Sequence, residues 1–240
     1  MIPPDNSRYN RLLAALPDDA WDRLAPHLEL VDMPVGQALY EAESPLSHVY
    51  FPTTSVVTLL YVMEDGNAAE IGIAGLEGMV GVALLMGGES TPSGALVQRA
   101  GQAFQLRRKF IKEEFDRAGP TQRLMLRYMQ ALITQMSQTA VCNRHHTIDQ
   151  QLSRWLLMSL DRLPSNEPLM SQDLVSGMCG TRREGLTECE QKLQRQGLIT
   201  SYTDGRIMVI DRSRLEARAC ECYAIVSAEF ERLLPGGKAT

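Results

Sequence analysis

Between about residue 29 and residue 108 the apolar residues come in short runs, and turn-forming residues cut those runs at regular intervals. The runs are Leu39-Tyr40, Val49-Tyr50-Phe51, Ser55 to Met63, Ala69 to Ala74, Met79 to Met86, Ala95 to Val97 and Ala103 to Leu106. Pro34-Val35-Gly36, Pro52, Asp65-Gly66, Gly75, Gly78, Gly87-Gly88 and Pro92 separate them. A chain so punctuated cannot supply the crossover helices of a βαβ fold, and it predicts a sandwich or barrel of short strands. Ahead of it, Leu12, Leu13 and Leu16, then Trp21, Leu24 and Leu28, recur at helical spacing around Pro17.

At Pro120 the period changes. Proline suits a first helical position, where its missing N–H has no partner to lose. Beyond it Leu126, Met129, Ile133, Met136 and Ala140 alternate by three and four, the seam of a coiled coil and a candidate dimer interface. Leu124, Tyr128 and Leu132 widen the apolar face enough to rest on the barrel as well. An amphipathic helix packed within one subunit is the alternative. Asn143-Arg144-His145-His146 reads as a hinge, and Ile148 to Arg162 as a further helix ended by Pro164 to Pro168.

At 240 residues the chain has room for two domains. The polar start carries no signal-peptide pattern, and no stretch is apolar enough to span a membrane, so a cytoplasmic protein is expected. Five cysteines, all in the second half, suit neither a disulfide framework nor a CxxC-type cluster. No nucleophile elbow, phosphate loop or zinc-protease pattern is present, which argues against an enzyme. The net charge of −5 excludes a broadly basic nucleic-acid coat, so any DNA contact must be local.

Such a local arrangement follows Pro168. Ser171 is a good N-cap for a helix over Gln172 to Met178, and Cys179-Gly180 breaks it. Thr181-Arg182-Arg183-Glu184 forms a capping box for a second helix that buries Leu186, Cys189 and Leu193, with Gly197 at its C′ position. Two helices about a glycine turn make a helix-turn-helix, whose second helix enters the major groove by its N-terminus. Arginine there can pair with guanine and glutamate with cytosine. Leu198 to Tyr202 and Ile207 to Ile210 flank Thr203-Asp204-Gly205-Arg206, a hairpin wing with Arg206 placed to meet a phosphate. The DNA-facing candidates are Ser171, Gln172, Thr181, Arg182, Arg183, Glu184, Thr187, Glu188 and Arg206. From 164 to 215 seven basic residues balance seven acidic ones, which favours a competing reading as a helical bundle.

The order of barrel, long helix and winged helix resembles the Crp/Fnr transcription regulators over nearly the whole chain. Glu77-Gly78-Met79-Val80-Gly81, Arg154-Trp155-Leu156-Leu157-Met158, Gly180-Thr181-Arg182-Arg183, Leu193 to Ile199 and Ala219-Cys220-Glu221-Cys222-Tyr223 carry the resemblance. It implies an α+β chain with a cyclic-nucleotide-binding-like β-roll of jelly-roll type over 1–119. A dimerisation helix and hinge would fill 120–147, and a winged helix-turn-helix 148–240. It further implies a bacterial homodimer on palindromic double-stranded DNA, with RNA polymerase open as a further partner. Base contacts would fall on Arg183 and Glu184. Where the family usually has a further arginine this chain has Glu188, which shifts the expected operator preference.

The resemblance implies no cyclic AMP site. Where cyclic-nucleotide-binding members clamp the phosphate, this chain reads Gly81-Val82 and Thr91-Pro92-Ser93-Gly94, without the glutamate or the arginine. A buried phosphate would lack its cation. The effector stays unidentified, and no metal or cofactor is expected. Cys220-Glu221-Cys222 is read as core packing, its thiols on different faces of a helix, and His145 and His146 as solvated hinge residues that can report pH. The competing function is a metabolite- or nucleotide-binding module that acts through protein partners.

Overall fold

The computed structural model describes residues 9–64, 68–163, 183–201 and 207–234. Two short helices, α1 (Arg11–Ala14) and α2 (Asp18–Leu24), precede seven strands. These are β1 (Glu29–Met33), β2 (Ala38–Tyr40), β3 (His48–Pro52), β4 (Val56–Val62), β5 (Ala68–Ala74), β6 (Gly94–Arg99) and β7 (Gly101–Arg107). They pair antiparallel as two sheets in the orders β1-β7-β3 and β2-β6-β4-β5. Val49 and Phe51 of β3 and Phe104 and Leu106 of β7 turn inward, where they meet Met33, Val57, Leu59, Met79 and Val97 in one buried apolar core. On the solvent face Gln105 and Gln102 of β7 bond Glu29 and Asp32 of β1 at 2.9 and 3.0 Å.

The apolar run from Met79 to Met86 is not a strand. A single bridge joins Val80 to Tyr50, and a 3₁₀ turn covers Val82–Leu84. Gly81 starts that turn at φ +100°, a conformation that favours glycine, and breaks the extended backbone. The Asp65-Gly66 turn between β4 and β5 lies outside the described residues. Asn10 ties the opening helices to the barrel: its Oδ1 caps α1 by accepting from Leu12 and Leu13, and its Nδ2 donates to the carbonyls of Pro52 and Gly78.

Helix α3 (Arg108–Asp116), which the strand-like texture did not announce, follows β7 and buries Ile111. Its buried Glu114 takes a two-pronged ion pair from Arg23, whose hydrogen bonds hold the carboxyl below its usual range. Helix α4 (Pro120–His145) then opens with proline in its first turn, as expected. It lays Leu124, Met125, Tyr128, Met129 and Leu132 against the barrel core.

The break after α4 is shorter than the expected hinge. Asn143, Arg144 and His145 remain helical, His146 is extended, and Thr147 forms a capping box with Gln150 that starts α5 (Ile148–Leu160). From Gln151 to Leu160 every residue of α5 is buried. A helix covered all round lies between two layers. Here one layer is the barrel sheet, through Val56 and Ile73. The other comprises α6 (Arg183–Arg195), β8 (Ile199–Ser201), β9 (Ile207–Val209), α7 (Arg212–Glu216) and α8 (Glu221–Leu233). Helix α8 returns to α4, where Phe230 meets Tyr128 edge-on with ring centroids 6.4 Å apart.

Candidate nucleic-acid interface and its seat on the barrel

Helix α6 follows the amphipathic reading. Leu186 and Leu193 are buried, Cys189 is half-buried, and Glu188, Gln191, Lys192, Gln194 and Arg195 face outward. Thr187 is half-buried. The helix ends as expected at Gly197, with φ +69°. The amide of Leu198 donates to Leu193 O at 3.0 Å and that of Gly197 to Gln194 O at 2.9 Å, the paired bonds of a Schellman motif. Leu198 and Leu193 are both buried beside it. β8 then pairs antiparallel with β9, Thr200 opposite Met208, as the wing requires.

Of the DNA-facing candidates, Ser171, Gln172, Thr181, Arg182 and Arg206 lie outside the described residues, as does the first helix of the expected pair. Arg183 and Glu184 are the first two residues of α6. Glu188 sits on the exposed face.

The orientation of α6 is set by Asp149, in the first turn of α5. Its carboxylate takes Lys192 Nζ of α6 at 2.9 Å, and Arg218 Nε at 3.0 and 3.1 Å. Arg218 also holds Gln196, just past the end of α6. Burial would raise the Asp149 pKa, but the hydrogen bonds from Arg218 and Lys192 outweigh it and hold the carboxyl below its ordinary value. At the other end of α5, Asp161 accepts from Arg212 at 2.6 Å and from the Tyr223 hydroxyl at 2.8 Å, fixing α7 and α8.

A buried polar layer seats α5 on the barrel, and sequence reading did not find it. Arg162 Nε lies 2.8 Å from Glu77 Oε1, its guanidinium also bonds Gln135 of α4, and Phe230 of α8 stacks on it at 5.4 Å. Gln135 Nε2 donates to Ile73 O at 3.0 Å. Gly75 allows this approach: a Cβ there would stand 2.5 Å from Arg162 Cβ. A signal existed, since Glu70, Arg154 and Arg162 are charges placed within apolar stretches, but their partners lie far along the chain.

The expected dimer seam divides. Leu126 and Ile133 are 48% and 54% exposed, and Ala140 is exposed, whereas Met129 is 6% exposed and Met136 packs on the barrel core of its own chain. Three of the five seam residues, spaced seven apart along α4, therefore face outward, joined by Val141.

Cys220 and Cys222 are buried in a small cluster with Cys142, as the core-packing reading expected, but their thiols do not lie on different faces of a helix. Cys220 is the N-cap of α8 rather than a helical residue, so its thiol and that of Cys222 converge instead of diverging.

Comparison with known proteins agrees with this architecture. Residues 150–218 match the Crp-like helix-turn-helix domain. No curated protein sequence matches the chain. Among solved structures, FixK2 from Bradyrhizobium japonicum superposes with a TM-score of 0.69 at 15% identity, over 80% of this chain and 98% of that one. A Crp/Fnr-family transcriptional regulator from Eubacterium rectale gives 0.66 at 14%, over 88% and 98%. A Crp-family transcriptional regulator from Thermus thermophilus gives 0.63 at 16%, over 79% and 96%. The last two bear the name of transcriptional regulators of the Crp/Fnr and Crp families. Among the described residues no helix is long and apolar enough to cross a membrane.

Proposed function

We propose that this chain, a Crp-like helix-turn-helix domain on the Crp/Fnr regulator fold, is a homodimeric, sequence-specific DNA-binding transcription regulator. The observation that carries the reading is the match over 150–218 on a helix, α6, whose polar face is outward and whose axis is fixed from behind by Asp149. In this reading residues 1–119 sense, 120–147 dimerise and 148–240 bind DNA. Arg183 and Glu184 read base edges, with Thr181, Arg182, Thr187 and Glu188 beside them and Arg206 on a backbone phosphate. Leu126, Ile133 and Ala140 make the contact between subunits. Two recognition helices one DNA turn apart, about 34 Å, then call for an inverted repeat.

The effector in this reading is not cyclic AMP. The barrel interior is filled by Phe51, Phe104, Met33 and Leu106. Thr91 and Ser93, near the place of a phosphate clamp, bond each other at 3.0 Å. Arg99 gives its Nη1 to the carbonyl of Thr54 at 2.8 Å. A signal in the barrel reaches DNA through the layer that joins Glu70 and Glu77 to α5, since that layer is the shared wall of the two units.

Selection from a random duplex library, followed by sequencing, tests the proposal. A palindromic motif is expected, and Arg183→Ala should lose about 1–3 kcal/mol on it and relax one base position. No enrichment, with or without added cell extract, would remove DNA as the partner. A binding partner whose affinity ignores salt would then favour a protein-directed module, because phosphate contacts release counterions.

A further inference from the structure

Four donor atoms from two distant stretches of chain meet where α4 ends and α8 begins. Cys142 lies in the last turn of α4 and His146 is its C-cap, whose amide donates to the Cys142 carbonyl. Cys220 and Cys222 are the N-cap and second residue of α8. The Sγ atoms of Cys142 and Cys220 are 3.5 Å apart, and Cys222 Sγ is 3.6 Å from His146 Nδ1. All four donors lie within 4.8 Å of one another. The three cysteines are buried, and the His146 side chain is 13% exposed.

We propose that Cys142, His146, Cys220 and Cys222 are the ligands of a tetrahedral zinc site that clamps the end of α4 to the start of α8. Zinc bonds of about 2.3 Å to sulfur and about 2.0 Å to nitrogen place tetrahedral donors roughly 3.5–3.8 Å apart, and two of the contacts already have that separation. Three thiolates and one imidazole with no open position make a structural rather than a catalytic site. Thiolate-rich donor sets select zinc or copper(I) over harder cations.

The surroundings support metal rather than packing alone. His146 Nε2 lies 3.3 Å from Glu221 Oε2, the carboxylate–histidine arrangement that leaves Nδ1 to the metal. Gln151 Nε2 donates to the carbonyls of Cys142 and His146 at 3.3 and 2.9 Å, holding the turn that presents both ligands. Arg154, 5% exposed, has a buried Nε without a hydrogen-bond partner, and its positive charge acts on both Cys142 and Cys222. Binding releases three thiol protons and leaves the imidazole neutral, so the filled site carries one negative charge. Arg154 and the N-terminus of α8 balance it.

The clamp spans the only break between α4 and α5 and pins α8 beside it, so its occupancy fixes how the long helix meets the C-terminal unit. The site stands whether or not the chain binds DNA, and its test uses no DNA. Full-length protein is purified with a thiol reductant and stripped with a chelator. It is then titrated with zinc against a chromophoric competitor, and separately with cobalt(II). One zinc per chain and the intense visible absorption of tetrahedral, thiolate-bound cobalt are expected. Cys142→Ser or Cys220→Ser should abolish both, while Cys189→Ser on α6 should leave both intact. Should the serine variants fail to fold, Glu221→Gln, at a 70% exposed side chain, keeps the fold and should lower zinc affinity roughly 10–100-fold. Reduced wild-type protein that takes up neither metal overturns the proposal. So does metal uptake unchanged in Cys220→Ser and Glu221→Gln, or a Cys142–Cys220 disulfide that forms in place of metal binding.

Discussion

The indole Nε1 of Trp155, in α5, reaches Oε2 of Glu70, in β5, across 3.4 Å of fully buried space. The same oxygen accepts from Thr58 Oγ1 at 2.7 Å. This carboxyl joins the barrel to α5, so its protonation bears on how firmly the two hold together. Burial pushes its pKa from 4.5 up to about 7, with Thr58, Trp155, Arg154 and Arg162 pulling the other way.

The sign follows from linkage. The folded protein keeps the Glu70 proton through a range in which the unfolded chain has lost it. The stabilisation is therefore full below about pH 4.5 and is lost as the pH rises through about 7. Its size is roughly 3 kcal/mol. Glu70→Gln, which cannot ionise, should be close to wild type at about pH 5 and more stable at about pH 8, as read by urea denaturation. A difference that does not change with pH would mean that Glu70 keeps its charge when buried.

Gly75 sets how closely α5 approaches the barrel. A Cβ there meets Arg162 Cβ at 2.5 Å and the Arg162 carbonyl at 2.9 Å, and backbone atoms cannot swing aside. Gly75→Ala should cost about 1–3 kcal/mol and raise amide exchange in α5. An unchanged denaturation midpoint would show that the two units do not meet at this distance in solution.

Asp149 gathers α6 through Lys192 and the following turn through Arg218 and Gln196. Asp149→Asn leaves both cations short of a charged acceptor at a site only 17% exposed, and should cost about 1–3 kcal/mol. Because the carboxyl is held below its ordinary value, this contribution is present above about pH 4 and is lost only on acidification. Hydrogen exchange should show α6 opening more often while the barrel is unchanged. Equal loosening of both would place Asp149 in the global fold rather than in the seat of α6.

The architecture was legible where a local rule acts alone. The period-two runs, proline at the start of α4 and glycine at the end of α6 each depend on residues within one or two turns. The layer of Glu70, Glu77, Gln135 and Arg162 was marked by charges in apolar surroundings, but the pairings that join α5 to the barrel and to α4 span dozens of residues and no spacing announces them. The thiol cluster was misread for a narrower reason. The helical-face rule was applied to Cys220, which is a cap and has extended backbone at ψ 165°. The seam on α4 was half legible, since a three-four alternation marks an apolar stripe without saying which neighbour covers each position.

That division makes the dimer testable without damaging the subunit. Met129, at 6% exposure, is part of its own barrel core, so a charge there would unfold the monomer and say nothing about assembly. Leu126 and Ile133, at 48% and 54%, are one heptad apart on the outer face and belong to neither of the two large buried cores. Leu126→Glu with Ile133→Glu should give monomers by light scattering, with the circular dichroism of the wild type. Two like charges facing their symmetry mates across a twofold axis repel in a site that excludes water. A dimer that survives the pair would move the subunit contact off α4, and the inverted-repeat operator would then need another source of symmetry.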